Sequence, residues 1–189
     1  KESYAKLGAL AQNAMKRKQD IDGTVVLDGA TTSLSGTGTT LVSGVIAAAA
    51  SRIGSNTTEG APKPIHCVLH GFQIKDLWDE LTAPFGTYPI PEGMSARVYT
   101  EGYKGMINGA HIFEDGNIAI VSSDAKGGVF AKMGIILVQG RAPRTEIRRE
   151  PHIGGGATSL FLYNEYAWGE RSVGNWLYEI LTDASVPTS

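Results

Sequence analysis

The chain has 189 residues, of which 42% are hydrophobic, and its formal net charge at pH 7 is −2. This size and composition allow a buried core in one compact domain or in two small interleaved ones. The near-neutral charge argues against a strongly basic nucleic-acid-binding protein, and no apolar run is long enough to span a bilayer.

The first third of the sequence predicts two helices and a short strand. The polar start at Lys1 is not expected to be a signal peptide. Apolar residues then recur at helical spacing and predict an amphipathic helix over residues 3–19. Two Asp-Gly turn signals bracket a predicted strand over residues 24–27, and a small-residue loop follows. A second helix is predicted to start at a capping threonine, Thr39 or Thr40, and to end near Ile53.

A strand, a turn and a helix make the strongest local signal, in the middle of the chain. Ile65–Leu69 is a continuous apolar run typical of a buried strand, and Phe72–Leu81 repeats apolar residues at helical spacing. Prolines and glycines predict a long loop over residues 83–102. Ile107–Phe113 then reads as a strand that contains either a tight turn or a bulge at Asn108-Gly109, with His111 expected on the surface.

The last third combines charge, aromatic residues and the strand period. An apolar segment over residues 129–138 precedes a charged strand over residues 144–150, on which charges of alternating sign share one face. After three consecutive glycines, two aromatic-rich runs are predicted to be strands, Ser159–Trp168 and Trp176–Leu181. Both faces of these strands mix apolar with polar or charged residues. We therefore expect neighbouring subunits to cover part of their surface.

Patterns that would indicate catalysis or ligand binding are incomplete. The glycines of residues 36–38 lack the third glycine of a dinucleotide-binding fingerprint, and the serine motif of residues 93–97 lacks its closing glycine. His66, Cys67 and His70 offer at most three metal ligands, and the carboxylates of residues 76–80 are expected to form a solvated helix face. Cys67 is the only cysteine and is expected to be a buried, inert thiol. We expect no enzyme activity, no cofactor and no metal.

Taken in order, these features resemble the major capsid proteins of tailed bacteriophages. The resemblance lies in the order and spacing of segments along most of the chain. Its components are the helix running into Asp28-Gly29, the helix from Thr39, Val68-Leu69-His70-Gly71-Phe72 leading into Leu77, Ile107–Phe113 with a turn at Asp115-Gly116-Asn117, the apolar segment from Val129, the charged strand to Glu150 and the aromatic tail.

The resemblance implies a mixed α+β capsid fold with two domains. Residues 1–23 and 127–189 would form the peripheral domain, with a long helix and strands, and residues 24–126 the axial domain, with a central sheet flanked by helices. The family has an N-terminal arm and a long extended hairpin before its long helix, whereas this chain begins almost directly in a helix. We therefore expect a trimmed or partial subunit.

The resemblance also implies a structural function without catalysis. The subunit would assemble with itself into hexamers and pentamers of an icosahedral shell, which encloses double-stranded DNA without binding it specifically. Portal or decoration proteins are possible further partners, the location would be the virion, and assembly would take place in the host cytoplasm. An encapsulin-like nanocompartment shell and, further off, a soluble α/β enzyme are the alternatives.

Two groups of residues are predicted to contact neighbouring subunits. The strands after residue 127 supply candidates for the subunit interface, and the long proline-rich loop supplies candidates for contacts around the axis of each ring. The interface candidates are Arg144, Glu146, Arg148, Arg149, Glu150, Tyr166, Trp168 and Trp176, and the axial-loop candidates are Phe85, Tyr88, Pro89 and Arg97.

Overall fold

The computed structural model of the chain describes residues 2–82 and 105–188. Helices and strands alternate irregularly along the sequence. In chain order they are α1 (Glu2–Asp28), β1 (Ser33–Ser35), α2 (Ser43–Gly54), β2 (Ile65–Leu69), α3 (Gly71–Thr82), β3 (Met106–Ile107), β4 (Ala110–Glu114), β5 (Ile120–Val121), β6 (Asp124–Ala131), β7 (Ile135–Glu150), β8 (Ala157–Glu170) and β9 (Leu177–Asp183). None of the described helices is both long enough and apolar enough to cross a membrane.

Two separate sheets organise these elements. A seven-stranded sheet has the order β1-β9-β6-β2-β4-β3, and β5 pairs with β6 beside this path. The β1–β9 and β2–β4 pairs are parallel, and the other pairs are antiparallel. Strands β7 and β8 form a second, two-stranded sheet. The predicted mixed α+β fold, with a central sheet and flanking helices, is confirmed.

The hydrophobic core lies on one face of the seven-stranded sheet, where α2 and α3 contribute apolar side chains. Strand β2 presents Ile65, Cys67 and Leu69 to this face, and all three are buried. Ile53 of α2 and Leu77 of α3 belong to the same cluster and have no exposed surface. The predicted buried strand and the helix after it are therefore confirmed. Burial also raises the pKa of the Cys67 thiol, which keeps it protonated and inert, as expected.

The opposite face of this sheet meets the C-terminal end of α1. Leu27 is buried there, and a β-carbon added to Gly128 would lie 2.9 Å from its Cδ2 atom. Farther along the face, the His66 ring lies 5.6 Å from the Phe113 ring and 5.8 Å from the Phe130 ring. Burial lowers the pKa of His66, and the nearby charges of His111 and Lys132 lower it further. His111 is exposed on its strand, as predicted.

Helix α1 is longer than the sequence predicted, because residues 24–27 are helical and not a strand. The Thr24 hydroxyl donates a hydrogen bond to the Ile21 carbonyl 2.8 Å away, which satisfies it inside the helix. Leu27 then lies one turn after Gly23, so both face the rest of the protein. The second Asp-Gly signal marks the true end, where the Gly29 N–H still bonds the Val25 carbonyl.

Helix α2 begins at Ser43, and carboxylates from α3 cap it. Neither predicted threonine does so, since the residue before the helix is Val42 and makes no side-chain cap. Glu80 instead accepts hydrogen bonds from the Ser43 backbone N–H at 2.6 Å and from the Ser43 hydroxyl at 3.1 Å. Asp76 accepts one from the Leu41 N–H at 3.3 Å. The pKa of Asp76 is raised, because the effect of burial outweighs that of the hydrogen bond from Leu41, which lowers it. The predicted solvated acidic face is therefore wrong for these two carboxylates.

Three other local predictions can be compared with the structure. Asn108-Gly109 forms a tight turn between β3 and β4, with φ angles of 46° and 82°. The loop predicted after α1 contains a short strand, β1, which pairs with β9. The apolar segment over residues 129–138 is split between the end of β6 and the start of β7, because the chain turns at residues 132–134.

The predicted division into two domains stays a prediction. The seven-stranded sheet takes strands from both sides of the proposed boundary. Strand β6 runs across it, and β9 pairs with β6 although it belongs to the C-terminal part of the sequence. Of the strands in residues 2–82 and 105–188, only β7 and β8 lie apart from this sheet.

Candidate assembly surface

The β7–β8 hairpin is a long surface that the described part of the subunit leaves mostly uncovered. Its strands contain 16 and 14 residues, so the hairpin is roughly 50 Å long. They pair with each other from Ile135–Glu170 at the base to Glu150–Ala157 near the tip. Register shifts between residues 139 and 144 add two extra residues to β7. Across the part of the chain that the structure describes, neither strand pairs with any other.

The base of the hairpin is attached to α1 by two aromatic side chains of β8. The Tyr166 hydroxyl donates a hydrogen bond to Asp22 at 2.7 Å, and the Trp168 indole N–H donates one to the Gln19 carbonyl at 3.0 Å. Gly23 lets the indole ring approach the helix, since a β-carbon there would be 3.3 Å from it. These contacts fix which face of the hairpin meets the helix.

Asp22 is the electrostatic centre of this attachment. A hydrogen bond from Lys18, one helical turn earlier, lowers the pKa of Asp22, and the bond from Tyr166 lowers it further. The same carboxylate raises the pKa of Tyr166. Both shifts favour a charged Asp22 that accepts from a neutral phenol. The hydrogen bond between Tyr166 and Asp22 can therefore form at neutral pH.

The face turned away from α1 carries arginines stacked on aromatic rings. The Arg144 guanidinium lies 5.3 Å from the centre of the Tyr163 ring, and that of Arg148 lies 5.7 Å from the Phe161 ring. The two rings stack on each other at 6.4 Å. Glu146 stands between the two arginines on β7, 3.6 Å from Arg148. Five side chains of both strands thus form one ordered but solvent-facing group.

Apolar side chains are also exposed along the hairpin. Val138 on β7 is 60% exposed, and Ile147 is 70% exposed. Ile147 is paired with Leu160, which is itself 39% exposed, so they share one face near the tip. In the sequence alone neither face of the charged strand is apolar, and it is the pairing with β8 that creates this patch.

The predicted interface residues divide into three groups. Arg144, Glu146, Arg148 and Arg149 are exposed on the outer half of the hairpin, and Glu150 is half-buried at its end. Tyr166 and Trp168 are half-buried against the chain's own helix α1. Trp176 is only 2% exposed and belongs to the hydrophobic core, where its N–H bonds the Glu59 carbonyl. Its apolar surface is used inside the subunit, so the prediction of an interface role is wrong for Trp176.

The other candidates yield no further site. The axial-loop residues Phe85, Tyr88, Pro89 and Arg97 lie outside the described residues, as does the incomplete serine motif. Within residues 2–82 and 105–188, no three His, Cys, Asp or Glu side chains are grouped so that they could hold a metal ion. Sequence reasoning missed the attachment of the hairpin to α1, for which a glycine inside a helix, Gly23, was the available signal.

Solved structures with a similar architecture come from phages and from an encapsulin. A chain of Mycobacterium phage Che8 matches with a TM-score of 0.68 and 17% identity, over 95% of this chain and 62% of its own length. The capsid structure of cyanophage P-SCSP1u gives 0.68 and 13%, over 96% and 66%. The SrpI encapsulin complex of Synechococcus elongatus PCC 7942 gives 0.64 and 12%, over 96% and 66%. No protein-family model matches the sequence, and no similar sequence was found among curated proteins.

These matches define the class of fold. The chain has a fold found in phage capsids. These capsids share the fold with an encapsulin. The capsid fold implied by the sequence resemblance is thereby confirmed. The chain spans 62% of the length of the Che8 chain and about two thirds of the P-SCSP1u and encapsulin chains.

Proposed function

We propose that this protein is a structural subunit that assembles with itself into a closed shell, as a major capsid protein of a phage. The observation that carries the proposal is the uncovered β7–β8 hairpin. Two-stranded hairpins are marginally stable by themselves in water, and a third strand or a packed face stabilises them. Among the described residues, none adds a third strand or a packed face to the outer half. A neighbouring subunit would provide both the missing contacts and the shell.

The remaining features support a structural role. The fold matches that of phage capsid structures. The net charge of −2 suits a shell that contains double-stranded DNA without binding it tightly. Hexamers and pentamers would form around the axial loop, and the shell would assemble in the host cytoplasm. Portal or decoration proteins would be further partners of the shell.

A nanocompartment shell is the second candidate function. It is favoured by one observation, the similarity to the SrpI encapsulin complex at a TM-score of 0.64. Both functions need the same subunit contacts and differ in what the shell contains. The content of purified particles therefore decides between them.

Particle formation tests the proposal directly. The purified chain should elute as a large assembly in size-exclusion chromatography and appear as closed shells in electron microscopy. Nucleic acid inside the particles supports a phage capsid, and a packaged protein supports a nanocompartment. A chain that stays monomeric at high concentration and turns over a substrate would contradict the proposal.

The hairpin charges provide a sharper test. Reversing Arg148 and Arg149 to glutamate should leave a folded, soluble subunit, because single exposed ion pairs contribute only about 0.2 to 1 kcal/mol. The loss recurs at every contact of a shell, so particle yield should fall, and the defect should change with salt. Reversing Lys16 and Arg17 in α1 makes the same change in net charge without altering the hairpin. Normal yield from the hairpin variant at low salt would show that these arginines are only solvated.

A further inference from the structure

The free edge of β7 contains a short window that is open to another strand. Residues 144–150 lie between Pro143 and Pro151, and all of them belong to the strand. Proline has no N–H to donate, so strand pairing is interrupted at both ends of the window. In the described part of the chain, β7 pairs only with β8, which leaves the backbone groups of its other edge unpaired. Such an edge readily accepts a strand from another chain.

The sequence of this window is complementary to itself when reversed. In an antiparallel pair centred on Ile147, Ile147 lies opposite Ile147 of the partner subunit. Glu146 then lies opposite Arg148 of the partner subunit, and Arg144 lies opposite Glu150 of the partner subunit. Because two-fold symmetry repeats each pair, every charge on this face meets its opposite. The two prolines also fall opposite each other, so the paired segment ends where both chains lose a donor.

We infer that two copies of this chain join along β7 in this register, around a two-fold axis at Ile147. The inference rests on the proposed function and names one of its contacts. We assign a second copy of this chain as the partner, because residues 144–150 are complementary in charge to their own reversed sequence. The contact is isologous, so it closes on two subunits and cannot extend into a fibre.

Neighbouring registers are penalised by like charges. Shifting the partner by two residues in one direction places Arg144 opposite Arg148 of the partner subunit and Glu146 opposite its own copy. The opposite shift pairs Glu146 with Glu150 of the partner subunit and Arg148 with its own copy. Like charges directly opposite each other destabilise a strand pair. A shift by one residue would exchange the two faces. The alternation of charge therefore selects a single register.

The same register covers the exposed apolar patch. Ile147 is paired with Leu160 inside the subunit, and both are exposed there. Joining two hairpins along β7 makes a four-stranded sheet, in which Leu160, Ile147 and the same two residues of the partner subunit form one apolar row. A sheet of four strands is also independently more stable than a hairpin of two. The exposed Glu146–Arg148 contact inside each chain, at 3.6 Å, is weak enough to be exchanged.

Cysteine cross-linking tests the register. In this pair the two Cα atoms of residue 147 lie about 4.5 to 5.5 Å apart, within the range that a disulfide spans. Ile147→Cys should therefore form a covalent dimer on oxidation with copper phenanthroline. Val138→Cys is the matched control, because Val138 is 60% exposed on the same strand but lies roughly 60 Å from its own copy in this register. The native Cys67 is fully buried and should not react.

A mixture provides a second measurement that does not alter Ile147. Thr145→Cys and Arg149→Cys chains should cross-link to each other when mixed, because those positions are opposite in this register, and neither should cross-link alone. Charge variants add an association measurement. Arg148→Glu should weaken self-association roughly tenfold by placing glutamates opposite each other. Adding Glu146→Arg to that variant should restore it.

The outcomes separate this inference from the proposed function. Shells that form without cross-linking at residue 147 or between residues 145 and 149 would overturn the inference and leave the function standing. Covalent dimers without shells would support the inference and contradict the function. A chain that remains monomeric overturns both. Failure of Glu146→Arg to rescue Arg148→Glu would also overturn the proposed register.

Discussion

The seven-stranded sheet and the β7–β8 hairpin use the same strand geometry for opposite purposes. In β2, alternate residues are apolar and buried under α2 and α3. In the outer half of β7, alternate residues are charged, and almost every position is exposed. The two longest of the described strands thus contribute no residue to the buried core. In the proposed shell, the length of these strands would let the hairpin reach across the surface of a neighbouring subunit.

This difference separates folding from association. The sheet buries its apolar residues within one chain, so its contacts determine the free energy of unfolding. The hairpin leaves Val138, Ile147 and Leu160 exposed to solvent, and a partner would cover them in the proposed shell. Substitutions in the two regions should therefore change different measurements. The following predictions test that separation, from the largest expected effect to the smallest.

The largest effect on folding should come from removing a core side chain. Leu69 has no exposed surface, and Leu69→Ala should lower the free energy of unfolding by about 2 to 5 kcal/mol, because it leaves a cavity. Ile147→Ala removes a residue that is 70% exposed and should change the same quantity by less than about 0.5 kcal/mol. Urea unfolding followed by circular dichroism measures both. Particle yield should fall for Ile147→Ala even so, and equal destabilisation by the two variants would remove the distinction.

Replacing a glycine by alanine in each region tests the same difference between the sheet and the hairpin, because it adds a β-carbon. A β-carbon at Gly127 in β6 would lie 2.6 Å from the Val68 carbonyl oxygen and 2.8 Å from Leu69 Cδ2. Gly127→Ala should therefore cost about 1 to 3 kcal/mol, since backbone atoms must move. Gly169 in β8 has no atom within 4 Å of such a carbon, so Gly169→Ala is the control. Thermal unfolding of both variants gives the measurement, and an unchanged midpoint for Gly127→Ala would contradict the packing described.

The cap between α3 and α2 should have an intermediate effect. Glu80→Ala removes both hydrogen bonds to Ser43 and should lower the free energy of unfolding by about 1 kcal/mol. Asp79→Ala on the same helix breaks only an exposed contact with Lys75 and should cost about 0.5 kcal/mol or less. Because the cap belongs to the sheet half of the protein, assembly of the folded subunit should be unchanged. A lower particle yield at full folding would place Glu80 at an interface instead.

Local sequence signals predicted the elements whose surroundings lie within a few residues. The apolar run of β2, the helical period of α3 and the Asn108-Gly109 turn each determine structure through their own neighbours. The strands β8 and β9 were likewise predicted from their content of aromatic and long apolar residues. The exposed charges of the outer hairpin could also be predicted as candidates, because their alternation is visible in the chain itself.

Contacts between distant residues account for what was missed. Residues 24–27 have the β-branched composition of a strand, yet packing of Leu27 over Gly128 holds them in the helix. The start of α2 is determined by Glu80, which lies 37 positions away. Trp176 was predicted to contact a neighbouring subunit because the strands of the last third have mixed faces, although it directly precedes β9, whose first four residues are buried. Only the folded chain brings these partners together.

The smallest expected effect concerns the joint between the two regions. The lowered pKa of Asp22 means that the folded state favours its charged form, so its contribution to stability is present above its ordinary pKa of 3.8 and is lost as the pH falls through the lowered value. Tyr166→Phe removes one of its two hydrogen-bond donors and should raise the pKa of Asp22, while Lys18, the larger cause, still keeps it below 3.8. Lys18→Gln should raise it more. Titration of the Asp22 carboxyl group by nuclear magnetic resonance measures its pKa in the unaltered protein and in the two variants, and this pKa should rise in the order given. If Tyr166→Phe leaves the titration unchanged, the hairpin is not held to α1 through this hydrogen bond, and the Trp168 contact alone joins the two regions.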